Sequence, residues 1–518
     1  MPARILKETC GFTLDLRQSG LSLDDLKSRE AAYARAHEEM KQIEAGAIKN
    51  PDEGRRVTHF TDRQTYPGTA LFARIETFFR EIREGKIRGS TGQPFDAVII
   101  NGIGGSALGP QLVQFAMRGP YWNERSREER QGNLRVYFVD NTDAAGLFDV
   151  LQVVDLKETL CVHISKSGGT RETRNNMMAL EAAYAAAGLD AAAHFCAVTM
   201  EGSKLWKHAQ RHHWLELWPM AESIGGRTSE TAVVGHVPAA AAGIDFRGLL
   251  AGACEMDAWT REANWLENPA YLLAAAWYAL GNGKGERNMV IVPYADRLIL
   301  LSRYLQQLVM ESLGKEFDRQ GNVVHQGLTV YGNKGGTDAH AFIQQLNDGR
   351  NDFFVTFIEI LKDRANFELG EDMTMGLYLH NFLQGLSNAL AAKNRPVITI
   401  RLDELNEQSL GMIIALYERS VAFYAELIDI NAFHQPGVEA YKKISTQINT
   451  LAQQLQQLLR QQPTLKGEAA VFAKALNQPG QTAEVEGILL KLAAISRDFD
   501  GRVLQRKLEG GTWVFELV

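Results

Sequence analysis

Thr159-Leu-Cys-Val-His-Ile164, running on into Ser165-Lys-Ser-Gly-Gly-Thr170 and Arg171-Glu-Thr173, decides how this chain is read. The first six residues are an apolar run of the kind that forms a buried strand. From Arg174 to Ala187, Met177, Met178 and Leu180 sit among alanines at helical spacing. Ser165, Lys166, Ser167, Gly168, Gly169 and Thr170 therefore occupy a turn from a strand into a helix N-terminus. Free backbone N–H groups and the positive end of the helix dipole favour an anion there. The hydroxyls of Ser165, Ser167 and Thr170 suit a phosphate, and Lys166 adds positive charge. A hydroxyl-rich helix cap without any ligand is the competing reading. No Gly-Lys-Ser/Thr closes a six-residue glycine frame, so a Walker A loop is excluded and a phosphorylated metabolite fits better than a nucleoside triphosphate.

Outward from this turn the same alternation repeats. Phe95-Asp-Ala-Val-Ile-Ile100, Leu134-Arg-Val-Tyr-Phe-Val139, the 159–164 run and Phe195-Cys-Ala-Val-Thr199 are short apolar runs separated by helical stretches. A second series runs through Asn288 to Pro293, Leu328 to Tyr331, Phe353 to Ile358 and Pro396 to Ile400. Strand alternating with helix implies a parallel sheet with helices on both faces. The expected fold class is thus α/β, with two three-layer parallel-sheet domains. The expected division is a helical N-terminal segment (1–94), a first α/β domain (95–244), a helical bridge (245–285), a second α/β domain (286–407) and a helical C-terminal region (408–518). Within the last, Leu451, Leu455, Leu458 and Leu459 mark one face of a Gln-rich helix. Gly501 to Val518 reads as a helix followed by a terminal strand.

At 518 residues the chain has ample core for two or more domains. A charged content of 23% and a hydrophobic content of 45% describe an ordinary globular protein. The net charge of −7 and the lack of a long basic run argue against nucleic acid as a partner, so an anionic substrate requires a locally positive pocket. Cys10, Cys161, Cys196 and Cys254 show no CxxC pair or metal spacing and suit reduced thiols. The first residues lack the apolar core of a signal peptide, and the longest apolar stretch, Tyr271 to Leu280, is too short to span a bilayer. A cytoplasmic enzyme with no membrane partner is the expected class.

Several further segments carry chemistry. Asn101-Gly-Ile-Gly-Gly-Ser-Ala-Leu-Gly109 follows the first strand and formally matches a dinucleotide fingerprint, with Asp140 closing the next strand. Asp140 lies further on than that fingerprint requires, and a bare tight turn is the other reading. Gly225-Gly-Arg227 sets a guanidinium on a flexible turn, where it suits either an oxyanion or an ordinary ion pair. Arg303, Gln307 and Glu311 share a face at helical spacing, which by itself reads first as a solvated helix face; the other reading is that Leu308, Val309 and Met310 partly desolvate Glu311 towards a useful base. His340 follows Gly335-Gly-Thr-Asp-Ala339; a loop histidine there suits acid or base work, though a lone one more often has no such role. His208 and His212 have i, i+4 metal spacing without a third ligand.

Taken in order, Asn101-Gly-Ile-Gly-Gly-Ser106, Ser165-Lys-Ser-Gly-Gly-Thr170, Gly225-Gly-Arg227, Gln307-Leu-Val-Met-Glu-Ser-Leu-Gly-Lys315, Gly336-Thr-Asp-Ala-His340 and Gln435-Pro-Gly-Val-Glu-Ala-Tyr-Lys442 closely resemble the motifs of the glucose-6-phosphate isomerase family, built from two sugar-isomerase domains. The resemblance covers about residues 95 to 445. It implies interconversion of glucose 6-phosphate and fructose 6-phosphate without metal or cofactor. By that resemblance Glu311 is the base moving a proton between C2 and C1, and Arg227 stabilises the enediolate. His340 and Lys442 serve ring opening. Gly105 and Ser106 line the sugar site, Ser165, Lys166, Ser167 and Thr170 hold the phosphate, and Gln307 and Gln435 make polar contacts. The family's histidine reaches the neighbouring subunit's site, so a homodimer is expected.

The chain departs from the family pattern in three places. Animal members carry Ser-Lys-Thr-Phe-Thr-Thr in the phosphate loop, keeping hydroxyls at the first, third and last positions. Tyr441 stands where a glycine often precedes the lysine, and 76 residues follow Lys442, far more than in animal members. The alternatives are a sugar-phosphate-binding regulator without turnover, an isomerase that also accepts mannose 6-phosphate, and a dehydrogenase.

Overall fold

An antiparallel pair, β1 (Arg4–Lys7) and β2 (Phe12–Asp15), opens the chain in a stretch expected to be helical. Phe12 and Leu14 are fully buried, which explains why so short a run is held as a strand. The computed structural model describes residues 4–7, 10–51, 53–370 and 372–518. Its two units are Met1–His434 and Gln435–Val518.

In the first unit β3 (Ala97–Asn101), β4 (Arg135–Val139), β5 (Thr159–Ile164), β6 (Phe195–Thr199) and β7 (Glu216–Pro219) form an all-parallel sheet in the order β4-β3-β5-β6-β7. Every residue of β3, β5 and β6 is buried. Their side chains alternate between two cores: Val98, Ile100, Leu160 and Val162 join one, while Ile99, Cys161, Phe195 and Ala197 join the other. Burial on both faces is why these strands read as continuous apolar runs. β7 was not foreseen, because Glu216-Leu-Trp-Pro219 is short and ends in proline.

A second sheet has the order β1-β2-β11-β10-β8-β9, with β8 (Asn288–Tyr294), β9 (Val330–Tyr331), β10 (Phe353–Ile360) and β11 (Val397–Leu402). These four run parallel, and β2 adds antiparallel to β11. The two expected parallel sheets are therefore present, the second extended by the N-terminus. Helix Glu407–Leu427, grouped from the sequence with the C-terminal region, is buried along most of its length in the first unit. It carries its charges inward as matched pairs: Arg63 meets Asp257 and Glu418, and Arg419 meets Asp257. Breaking one such buried pair would strand a charge and cost about 3–5 kcal/mol.

The second unit packs helices Pro436–Gln461, Ala469–Ala475 and Thr482–Ala494 on a three-stranded antiparallel sheet, β12 (Gly467–Glu468), β13 (Leu504–Glu509) and β14 (Thr512–Leu517). Leu451, Leu455, Leu458 and Leu459 are buried in its core with Phe472, Leu489 and Phe515, so the expected leucine face is present. The expected helix around Leu504 and Leu508 is instead β13 of a hairpin. Gly510 and Gly511 both take positive φ, +59° and +88°, as a two-residue hairpin turn demands. Among the described residues no helix is long and apolar enough to cross a membrane.

Candidate active site

In the first sheet the chain steps from β3 outward to β4 and then back across β3 to β5. That reversal opens a crevice at the carboxyl ends of β3 and β5, the usual ligand position in such sheets. Both candidate loops issue there: Gly102 to Ser106 from β3, and Ser165 to Thr170 from β5. Ser165 is buried and donates its hydroxyl to Thr170 Oγ1 at 3.1 Å, while Ser167 Oγ accepts from the Gly169 amide at 3.1 Å. Thr170 precedes helix Arg171–Ala186 in extended conformation, and its side chain caps no helical amide. The first-turn amides thus keep their hydroxyl-lined setting without an internal cap.

Lys166 lies differently from its expected place beside the anion. Its ammonium donates to the carbonyls of Glu222 at 2.6 Å and Ile224 at 2.9 Å. It therefore ties the β5 loop to the segment leading into Gly225-Gly226-Arg227. Burial, with help from Arg55, holds it down to about 8.

The Gly225–Arg227 turn rests on the β3 loop through backbone. A Cβ on Gly105 would stand 1.8 Å from the Gly226 carbonyl oxygen, and one on Gly104 would stand 3.2 Å from Gln307 Nε2. Only glycine at 105 allows this approach. Gly105, half-buried Ser106, Gly226, Arg227 and Gln307 thus belong to one neighbourhood. The Arg227 guanidinium is buried, donating from Nη1 to Ser312 Oγ and from Nη2 to the His434 carbonyl, both at 3.3 Å. Burial lowers its pKa and the Glu311 charge opposes that shift.

Glu311 ends a π-helical stretch, Gln306–Glu311, that continues the short α-helix Leu301–Leu305. Single π turns inside helices are frequent at functional sites. In this wider turn four residues fall short of a full revolution, so the α-helical face expected for Arg303, Gln307 and Glu311 does not hold. Arg303 is exposed and approaches Asp140 at 3.4 Å, while Glu311 is half-buried on the Arg227 side. Nor is the expected apolar surround complete: Leu308 and Val309 are buried, but Met310 is exposed. Positive charge flanks Glu311 instead, from Arg227 and from Lys315.

His340 ends the 3-10 turn Thr337–His340 beyond β9, where it is exposed. Buried Asp338 secures that turn by accepting from the Asn333 amide at 3.0 Å. The His340 ring has no hydrogen-bond partner among the described residues and makes none of the contacts around Glu311. Gln435 and Lys442 belong to the second unit, Gln435 preceding and exposed Lys442 lying within helix Pro436–Gln461. Residues not singled out from the sequence also enter: Arg55, donating to the Phe433 carbonyl at 3.1 Å, and Ser312 and Lys315 beside Glu311. Ser312 and Lys315 stood in a quoted motif without an assigned role, and nothing in the sequence marks Arg55.

At the β3 turn the Gly226 backbone fills the space beside Gly105, and Asp140 accepts from Gln111 Nε2 at 2.8 Å. His208 bonds Glu181 at 2.7 Å rather than closing a metal set with His212, and the described residues hold no cluster of three candidate metal ligands. Cys161, Cys196 and Cys254 are free thiols.

Comparison with known proteins adds to this geometry. Residues 34–466 match the family model of phosphoglucose isomerase. A glucose-6-phosphate isomerase of Thermosynechococcus vestitus is 45% identical over 94% of this chain and 93% of its own, and one of Geobacter sp. strain M21 is 47% identical over 90% and 89%. Among solved structures, a glucose-6-phosphate isomerase from Chlamydia trachomatis superposes with a TM-score of 0.76 at 28% identity, covering 87% of this chain and 90% of that one.

Proposed function

This chain belongs to the phosphoglucose isomerase family, and from that membership we infer that it interconverts glucose 6-phosphate and fructose 6-phosphate, an aldose–ketose isomerisation. In our reading the phosphate is held at the β5 loop by Ser165, Ser167 and Thr170. Lys166 braces that loop against the segment before Gly225, and Gly105 and Ser106 line the sugar. His340 and Lys442 pass protons that open and reclose the ring. Glu311 takes the proton from C2 of the open-chain aldose, leaving an enediolate whose oxyanion faces Arg227. A proton then passes from the C2 hydroxyl to O1, and the same carboxyl returns its proton to C1, giving the ketose with no net gain or loss of protons. Gln307 and Gln435 hold sugar hydroxyls.

The observation that carries this reading is the Arg227–Ser312 hydrogen bond, which ties a buried cation to the residue following Glu311. Abstracting a proton beside a carbonyl needs such a pair, a carboxylate with a cation for the developing oxyanion. The exposure of His340, on a turn away from the contacts around Glu311, supports a second part of the reading: it serves the site of a partner copy, in a homodimer. The free thiols of Cys161, Cys196 and Cys254 support a cytoplasmic setting.

The test is turnover of fructose 6-phosphate, followed by a coupled dehydrogenase in the presence of chelator, for wild type and Glu311→Gln. We expect chelator-resistant activity in wild type and a loss of about 10²–10⁴-fold in the variant. Activity surviving in Glu311→Gln would move the base elsewhere. A wild type that binds sugar phosphate without turnover would favour the regulator.

A further inference from the structure

Residues 311 and 312 are gripped from two sides. On one side is the Arg227 bond to Ser312 Oγ. On the other is Lys315, 4% exposed, whose Nζ donates to the Glu311 carbonyl at 2.8 Å and the Ser312 carbonyl at 2.6 Å. The helix has stopped by then: the Gly314 amide makes its last bond, to the Met310 carbonyl at 2.9 Å. Lys315 begins a short antiparallel ribbon, Lys315–Phe317 with Val323–Gln326, in which it pairs with Gln326. Its backbone is thus anchored outside the helix while its side chain folds back over the helix end.

We propose that Lys315 is a positioning residue for the base: its ammonium caps the carbonyls of Glu311 and Ser312 and fixes the turn from which the Glu311 carboxylate reaches the substrate. This rests on Glu311 being the base. A π turn is the less regular end of a helix, and its last carbonyls have no amide to accept from. A cation meets both that need and the negative end of the helix dipole. The arrangement is held at a cost. Burial and the Arg227 charge press the Lys315 ammonium down to about 7, and the Glu311 charge opposes them. A surface lysine would cap a helix end without that penalty, so the burial has a use beyond capping: it holds a rigid strut behind a carboxylate that must face two carbons in turn.

The experiment compares Lys315→Met, Lys315→Arg, Glu311→Gln and wild type. It measures kcat and KM for fructose 6-phosphate, and the fraction of a C2 deuterium label on glucose 6-phosphate that reappears at C1 of the product. A base displaced by about 1 Å loses about 10²-fold in rate and holds its proton longer before delivery, so more label escapes to solvent. We expect Lys315→Met to keep KM within about threefold, to lose about 10²-fold in kcat, and to transfer less label. Lys315→Arg, which keeps a cation at the cap, recovers part of both. Should Lys315→Met fail to fold, Lys315→Arg carries the test, with a lowered transfer fraction at unchanged KM. Wild-type kcat and label transfer in the folded variants, beside an inactive Glu311→Gln, would overturn the positioning role alone. An active Glu311→Gln would overturn the base assignment and this inference with it.

Discussion

Replacing Gly105 by alanine tests the backbone contact on which the site is built. The added methyl would stand 1.8 Å from the Gly226 carbonyl oxygen and 2.1 Å from its carbon. Side-chain carbons essentially never approach closer than 3.0 Å, so one loop must retreat by about 1.2 Å. Neither partner can absorb this by turning a rotamer, because both are main chain. Arg227 is the next residue after Gly226, so the displacement passes directly to the guanidinium, while Ser312 stays with its own helix. A misplacement of about 1 Å costs about 10²-fold in rate, which is about 2.7 kcal/mol in the barrier, and overpacking itself costs about 1–3 kcal/mol of stability. The assay is coupled turnover of fructose 6-phosphate with a thermal melt on the same preparation. The control is Gly146→Ala, on an exposed helix with nothing within 4 Å of the new methyl. Gly105→Ala should fall about 10²-fold in kcat and melt lower, with Gly146→Ala unchanged in kcat and melting no lower than wild type. Wild-type kcat and melting in Gly105→Ala would refute the argument that this contact sets the position of Arg227.

Other consequences can be checked alongside. Thr170→Val removes the hydroxyl that Ser165 meets and should raise KM and the inhibition constant of inorganic phosphate about tenfold, about 1.4 kcal/mol, with kcat within about threefold. Arg227→Met should lower kcat about 10²–10³-fold, and Arg227→Lys should not restore it, because one ammonium cannot reach both Ser312 Oγ and the His434 carbonyl as the guanidinium does. Lys315 sits at about 7 when folded and at 10.5 when unfolded, so between those values the unfolded chain holds the extra proton. Stability therefore rises with pH from this group by about 1.4 kcal/mol per unit across the window and is flat below 7. Thermal midpoints at pH 7, 8, 9 and 10 should show that rise reduced in Lys315→Met.

The parallel sheets were legible because strands buried on both faces leave unbroken apolar runs, as Thr159–Ile164 and Phe195–Thr199 do. β2 and β7 escaped notice because four residues are too few for a pattern; burial against distant partners, not local preference, makes them strands. The terminal hairpin was misread because Leu504 and Leu508 mimic helical spacing, and the signal that counted was Gly510-Gly511. At the site, residue types and order pointed to Glu311 and Arg227, but not to the π turn, which shifts the face on which Arg303 and Glu311 project. Lys315 carried no signal of its own: its importance comes from its burial and from the carbonyls it meets. Lys166 likewise read as a charge for the anion, whereas its ammonium braces a neighbouring loop.

The pairing of β2 with β11 also bears on how the chain is made. Phe12 pairs with Leu402, 390 positions later. At about 5–20 residues per second, roughly 20–80 s separate the synthesis of the two. The first sheet, complete by Pro219, can assemble on the ribosome in that interval. The edge of β2 that faces away from β1 waits with its backbone donors and acceptors unpaired until nearly the whole first unit has emerged. A bulky tag fused ahead of it would then act on yield rather than on turnover, by competing for the strand before its partner exists.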